Sequence, residues 1–343
     1  MEIRRVQFTG GSSYVLTLPK EWVDARKIKK NDPLGIEVQP DGTLTITTAT
    51  AREPVQRVKE FAVTESIEPD YLFRLLIGAY IAGFTTIVIR SGDRLPPFVR
   101  TVVRNFTQMT IGQEVIEETE QAITLKDLLS PAEMPFANSI RRMYVIVRAM
   151  HEDAVAAIRT RNTDLAKDVA ARDNDVDRLH WLIARQTSMV LSHTELSKRM
   201  GITPVMANHY LLISRIIERI GDHAERIADN VPGVLAREID AATMEKIAQA
   251  SRTALALFDR SIVAFFDGDM KKAQKTIGSL QALEALCDGI TGPVSRQEAP
   301  GALALGNIMG SIRRVGEYSA DIAENVINYL VENEQPHKKK AGR

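Results

Sequence analysis

The sequence predicts a mainly α protein, two three-helix bundles preceded by a small β unit and an α+β insert. Three observations carry that reading. Apolar residues recur at helical spacing almost without interruption over 131–333. Within that stretch one motif occurs twice, "RIGDHAERIADN" at 219–230 and "RVGEYSADIAEN" at 314–325. The first fifty residues alternate instead at period two, punctuated by Gly-Gly and Asp-Gly.

At 343 residues, with 44 basic and 44 acidic side chains, the chain has room for two or three domains and no global field of either sign. A nucleic-acid partner would need a local patch. Cys287 sits in an apolar helical stretch, where a thiol serves as a small buried hydrophobe rather than a nucleophile. The most apolar run, "LLIGAYIAGFTTIVI" at 75–89, is too short to span a bilayer and is broken by Gly83. It reads as a helix followed by a buried strand. With no signal-peptide pattern at its start, the chain reads as cytoplasmic, without an integral membrane segment.

In order along the chain, "IRRVQFT" and "SSYVLTL" are strands joined at Gly10-Gly11, and Pro19 opens the helix "KEWVDARKI". "LGIEV" and "TLTITTA" flank a second tight turn at 41–42. This unit, 1–52, has too little apolar surface to be stable alone and is expected to pair with a second chain. Residues 55–130 then read as helix, the strand "TTIVIR", a Pro-initiated helix and two further strands, "GQEVIEE" and "AITLKDLL". No catalytic motif falls there. From 131 to 333, breaks at "TRNTD", "RMGITP", "NVPG", "FFDGD" and "TGPVSRQEAPG" leave six long segments in two sets of three, a duplication. Residues 334–343 form a basic tail, expected to be disordered.

The chemistry lies in the repeated motif. A helix turns about 100° per residue, so Glu218, Asp222, Glu225 and Asp229 fall within roughly 60° of one another on a single strip. Ile216, Ile220 and Ile227 lie opposite. A solvated face would lace such acids to bases, Arg215 to Glu218 and Asp222 to Arg226. Four carboxylates in line repel one another, however, and a hard cation among them removes that cost. Asp173 and Asp177, again four apart on an earlier helix, are able to complete such a site between facing helices. Both readings stay open on spacing alone.

A second candidate patch lies in residues 1–30, where seven bases face three acids. Arg4, Arg5, Lys20, Arg26 and Lys27 suit a phosphate backbone, and a dimer would present them twice. The bland alternative is ordinary surface charge. No phosphate loop, nucleophile elbow or H-E-x-x-H motif is present, and the six histidines do not cluster in sequence. His223 points away from the acid strip, and no enzyme is expected.

Together, "DLAKDVAARDNDVDRL" and "RIIERIGDHAERIADN" resemble the PhoU family of phosphate-uptake regulators, and the likeness covers 131–333. "VQFTGGSSYVLTLPKEWVDARKIKKNDPLGIEV" resembles an AbrB-type swapped-hairpin domain, as in archaeal PhoU-like fusions. These resemblances imply tandem three-helix bundles, partnership with a phosphate-specific ABC transporter, DNA binding and a homodimer through the first domain. They also imply a divalent or trivalent metal, iron or zinc, on Asp173, Asp177, Glu218 and Asp222, with Glu225 and Asp229 extending the strip. The second repeat departs from the pattern. Leu280 stands where the first has Asp173, and Arg313 where it has Glu218, so Glu284, Glu317 and Asp321 make a weaker site.

Overall fold

In the computed structural model, which describes residues 2–38, 42–48, 57–236, 240–294 and 300–333, the chain divides into two units, 1–56 and 57–343. The basic tail, Asp41 and the join at 49–56 lie outside the described residues.

The first unit consists of two antiparallel hairpins around one helix. β1 (Gln7–Thr9) pairs with β2 (Ser13–Val15), and Phe8 meets Tyr14 edge to face across the pair at 5.2 Å. Gly10 and Gly11 both take positive φ in the connecting turn, a conformation that costs glycine little. Pro19 caps α1 (Lys20–Ala25), and β3 (Gly35–Val38) pairs with β4 (Leu44–Thr47). None of these elements holds a buried core residue; Ile3, Tyr14, Ile36 and Val38 are all more than two-thirds exposed. A unit that leaves its apolar side chains this bare lacks the burial needed to fold alone.

The second unit begins with a four-stranded sheet where the sequence suggests three strands. β5 (Val58–Ala62), α2 (Pro69–Ile81), β6 (Thr86–Arg90), α3 (Pro97–Met109), β7 (Gln113–Glu118) and β8 (Ala122–Asp127) give sheet order β5-β6-β8-β7. β5 pairs parallel to β6, and the other pairs are antiparallel. As a largely exposed edge strand, "VKEFA" carries little of the apolar signal that announces a strand. Ile87, Ile89, Ile123 and Leu125 pack one sheet face against Leu72, Leu76, Val99 and Phe106 of the two helices.

The described residues that follow are mainly helical: α4 (Phe136–Thr160), α5 (Thr163–Ser192), α6 (Thr194–Met200), α7 (Pro204–Asp229), α8 (Val231–Leu235), α9 (Ala241–Asp267), α10 (Met270–Gly278), α11 (Leu280–Val294) and α12 (Pro300–Asn333). Asn162, Thr203, Asp240 and Asp269 cap α5, α7, α9 and α10 through their side chains. α4, α5 and α7 form one bundle, and α9, α10–α11 and α12 the other, over a shared core. The expected middle segment of the second bundle is thus two helices, divided at Ser279. Between the bundles α7 and α12 run antiparallel, since His209, His223 and Asn230 meet Asn325, Ser311 and Asn307 in reverse order.

The sheet unit is fastened to α5. Arg185, 2% exposed, donates to the Tyr80 and Phe84 carbonyls and to Asp127 Oδ2 at 2.5, 3.0 and 2.5 Å. Trp181 packs edge to face on Phe73, and Gln186 donates to the Pro131 and Met134 carbonyls. No helix among the described residues is long and apolar enough to cross a membrane.

Candidate functional site: an acidic groove between α5 and α7

α5 and α7 pack side by side, and Gly221 sets how closely. A Cβ added there would meet Asp173 Oδ1 at 3.2 Å, Val147 at 3.4 Å and Val176 at 3.6 Å. The missing side chain lets the two acid pairs approach across the helix gap. Asp173, Asp177, Glu218 and Asp222 lie within electrostatic reach of one another, with Glu225 beside them. Asp229, the last residue of α7, is exposed and bears on Glu225 alone among the groove carboxylates whose shifts name their causes.

The crowding shows in the acidities. Burial, then Asp177, Glu225, Asp222 and Glu218, push Asp173 up to about 7. Burial and Asp222 raise Asp177 to about 6 against the pull of Arg215. Glu218 rises to about 7, through burial first and Asp222 second. Asp222 stands at the exposed rim, where burial of its carboxyl end raises it while Arg215, Arg219 and Arg226 oppose.

Hydrogen bonding leaves the groove incomplete. Arg215 donates to Glu218 Oε1 at 2.8 Å, as a solvated face would have it, yet Arg226 reaches Asp222 only as a longer-range charge. Glu218 Oε2 and Asp173 Oδ1 are buried without a hydrogen-bond partner. A bare buried carboxylate oxygen is costly, and it is relieved by a proton or a cation. All-carboxylate donors with two orphaned oxygens fit a hard cation in chemistry. As the side chains stand, no three of the acidic, imidazole or thiol groups among the described residues are drawn into a coordination set. A metal would therefore require rotation of these carboxylates on binding.

The second repeat differs from the first at the corresponding positions. Gly316 occupies the position of Gly221, and its added Cβ would meet Leu283 at 2.1 Å, Leu280 at 3.3 Å and Leu257 at 3.4 Å. Leu280 thus replaces Asp173 against the glycine, as the alignment of the repeats implies. Arg313 bonds Asp288 on the neighbouring α11, and Glu317 accepts from Arg314 at 2.7 Å. Asp321 is exposed, its carboxyl raised by burial and by Glu324 and Glu317, while Glu284 is half-buried. Leu280 and Arg313 thus stand where the first bundle has Asp173 and Glu218.

His151, His180 and His223 behave as packing residues. His151 and His180 meet Ser251 and Ser214 at 3.0 Å, and burial pushes both down to about 4. His223 turns toward α12, meeting Ser311 at 3.2 Å and the Tyr318 ring at 5.7 Å. In the first unit, Arg4 is half-buried and donates to Thr17 Oγ1 and the Leu18 carbonyl, with Glu2 as its ion partner. Arg5, Lys20, Arg26 and Lys27 are exposed. Of the two adjoining arginines, Arg5 alone faces outward. Sequence reasoning missed Gly221 as the residue that brings Asp173 to α7; its recurrence as Gly316 in both copies of the motif was the available signal.

Comparison with known proteins bears on both the helical body and the N-terminal unit. The family model of the PhoU domain matches residues 140–231, which span α4, α5 and α7, and that of the MazE antitoxin, an antidote-toxin recognition protein of bacteria, matches residues 7–58. The chain is 28% identical over 148 residues to a phosphate-specific transport system accessory protein PhoU homolog of Clostridium acetobutylicum, covering 42% of this chain and 65% of the relative. PhoU from Pseudomonas aeruginosa superposes with a TM-score of 0.51 at 18% identity, over 57% of this chain and 95% of that one. The phosphate transport system regulatory protein PhoU of Streptococcus pneumoniae gives 0.50 at 15% identity, over 59% of this chain and 96% of that one. These two structural likenesses establish the fold of the helical body. The chain carries a PhoU domain in its first helical bundle and a MazE/AbrB-like antitoxin domain at its N-terminus.

Proposed function

We propose that this protein is a regulator of phosphate uptake, acting on the components of a phosphate-specific ABC transporter rather than as an enzyme. The observation that carries the reading is the PhoU domain match over 140–231, coincident with the helices that build the acidic groove. Asp173, Asp177, Glu218 and Asp222 would hold a divalent or trivalent cation, iron or zinc, with Glu225 and Asp229 along the rim. Bound there, the cation would neutralise the groove and fix α5 against α7.

The N-terminal unit would join two chains through its bare apolar faces and lay Arg5, Lys20, Arg26 and Lys27 on duplex DNA, linking phosphate status to transcription in the cytoplasm. The second reading, a unit that only dimerises, is favoured by the inward pairing of Arg4.

Binding of the full-length chain to duplex DNA across salt concentrations separates the two. With four outward bases per chain presented twice, the account expects log affinity to fall against log salt with a slope steeper than about −3. Charge removal at Arg5, Lys20, Arg26 and Lys27 should flatten that slope. No salt-dependent binding at 50 mM salt or below (about the lower end of the useful range) would leave dimerisation as the sole role.

A further inference from the structure

α7 carries acids along one strip and bases along the next, and the bases border α12. By helical spacing Arg219 and Arg226 lie within about 20° of each other, roughly 40–60° to the solvent side of His223. On α12, Arg314 stands roughly 40–60° to the solvent side of Ser311 and Tyr318. His223 joins the two helices: its Nδ1 meets Ser311 Oγ at 3.2 Å, and its ring lies 5.7 Å from that of Tyr318. Arg219 bonds to the Tyr318 hydroxyl, and Arg226, Arg314 and Arg219 all lie near enough to act on the His223 imidazole. Three exposed guanidiniums thus ring one half-buried imidazole at the mouth of the seam.

Two observations give this cradle a ligand preference. The first is its charge, which the protein cancels only in part. Arg226 makes no ion pair among the described residues, and Arg314 uses only Nη1, on Glu317 at 2.7 Å. Asp222 and Glu317, the adjoining acids, lie beyond the arginines from His223 on the helical wheel. An oxyanion among the guanidiniums removes their mutual repulsion, and their planar forks match its oxygens. The second is the imidazole, which selects among oxyanions. Burial, with the arginines, holds His223 down at about 4, so the ring is neutral at pH 7 and able to accept. With Nδ1 directed to Ser311, Nε2 is the nitrogen left, and it makes no hydrogen bond among the described residues. Only an oxyanion that carries a proton can use that acceptor.

We propose that the α7–α12 seam binds hydrogen phosphate, with Arg219, Arg226 and Arg314 on its charged oxygens and His223 Nε2 accepting its proton. Sulfate, of the same shape and charge, has no proton to give. The site uses none of the groove carboxylates and is independent of any transporter contact.

The test is titration calorimetry of the full-length native chain at pH 7, with a chelator present so that no metal in the acidic groove captures phosphate. Inorganic phosphate should bind at least about tenfold more tightly than sulfate, the effect of one hydrogen bond to a charged group. Arg226→Gln, an exposed change that breaks no ion pair, should weaken phosphate about tenfold. Arg104→Gln, equally exposed on α3, should leave it unaltered. No phosphate binding, equal affinity for the two anions, or phosphate affinity indifferent to Arg226→Gln would each overturn the proposal.

Discussion

Asp173 and Glu218 each keep a buried carboxylate oxygen without a partner, and both titrate near 7 rather than near 4. The sign of the consequence follows from proton linkage. A carboxyl raised by folding binds its proton more tightly in the native state, so its stabilising share is whole below the unfolded value and lost as pH rises to about 7. The metal-free chain should therefore lose stability between pH 4 and pH 7 from this source. Asp173→Asn should flatten that loss and raise the urea midpoint at pH 8; an unchanged midpoint would mean that the acids do not strain one another. Arg185 and Asp127 are both nearly buried and paired, so Asp127→Ala leaves the Arg185 charge buried with only neutral carbonyl partners, those of Tyr80 and Phe84. A loss of roughly 3–5 kcal/mol in urea unfolding is expected. An effect below about 1 kcal/mol, the range of exposed pairs, would show that the latch does not hold the sheet unit to α5.

On the scale of elements, the repeated glycine decides how closely each bundle packs. Gly316→Ala must displace the fully buried Leu283, whereas Gly221→Ala meets Asp173 Oδ1 at 3.2 Å. Gly316→Ala should cost about 1–3 kcal/mol, less whatever the helix gains from alanine. Gly221→Ala should cost less, and the reverse order by thermal unfolding would contradict the packing described. Much of this was legible in sequence. The strip of acids follows from helical spacing alone, and the duplication follows from the recurrence of arginine, glycine, isoleucine, alanine and asparagine. What spacing does not encode is the partner across the gap. Asp173 faces Gly221 through packing of α5 on α7, a long-range contact, and the edge strand β5 is stabilised by its neighbour rather than by its own pattern.

For the molecule as a whole, the two units are legible to different depths. The helical body was identified by residues that recur and by a likeness that the solved folds bear out. The first unit displays its elements plainly but not its purpose, because exposed Phe8, Tyr14, Ile36 and Val38 acquire meaning only against a second surface. The charges there show the same limit: Arg4 and Arg5 are adjacent and alike in sequence, yet folding pairs one internally and exposes the other.

The proposed metal site lies in the first bundle, which is expected to take up metal better than the second. The most direct measurement is elemental analysis of the chain after loading with iron or zinc, for the native protein, Glu218→Gln/Asp222→Asn and Glu284→Gln/Glu317→Gln. The account predicts metal in the native chain and in the second-bundle variant, and its loss from Glu218→Gln/Asp222→Asn. A native chain that stays free of metal, or a Glu218→Gln/Asp222→Asn protein that retains it, would contradict the claim.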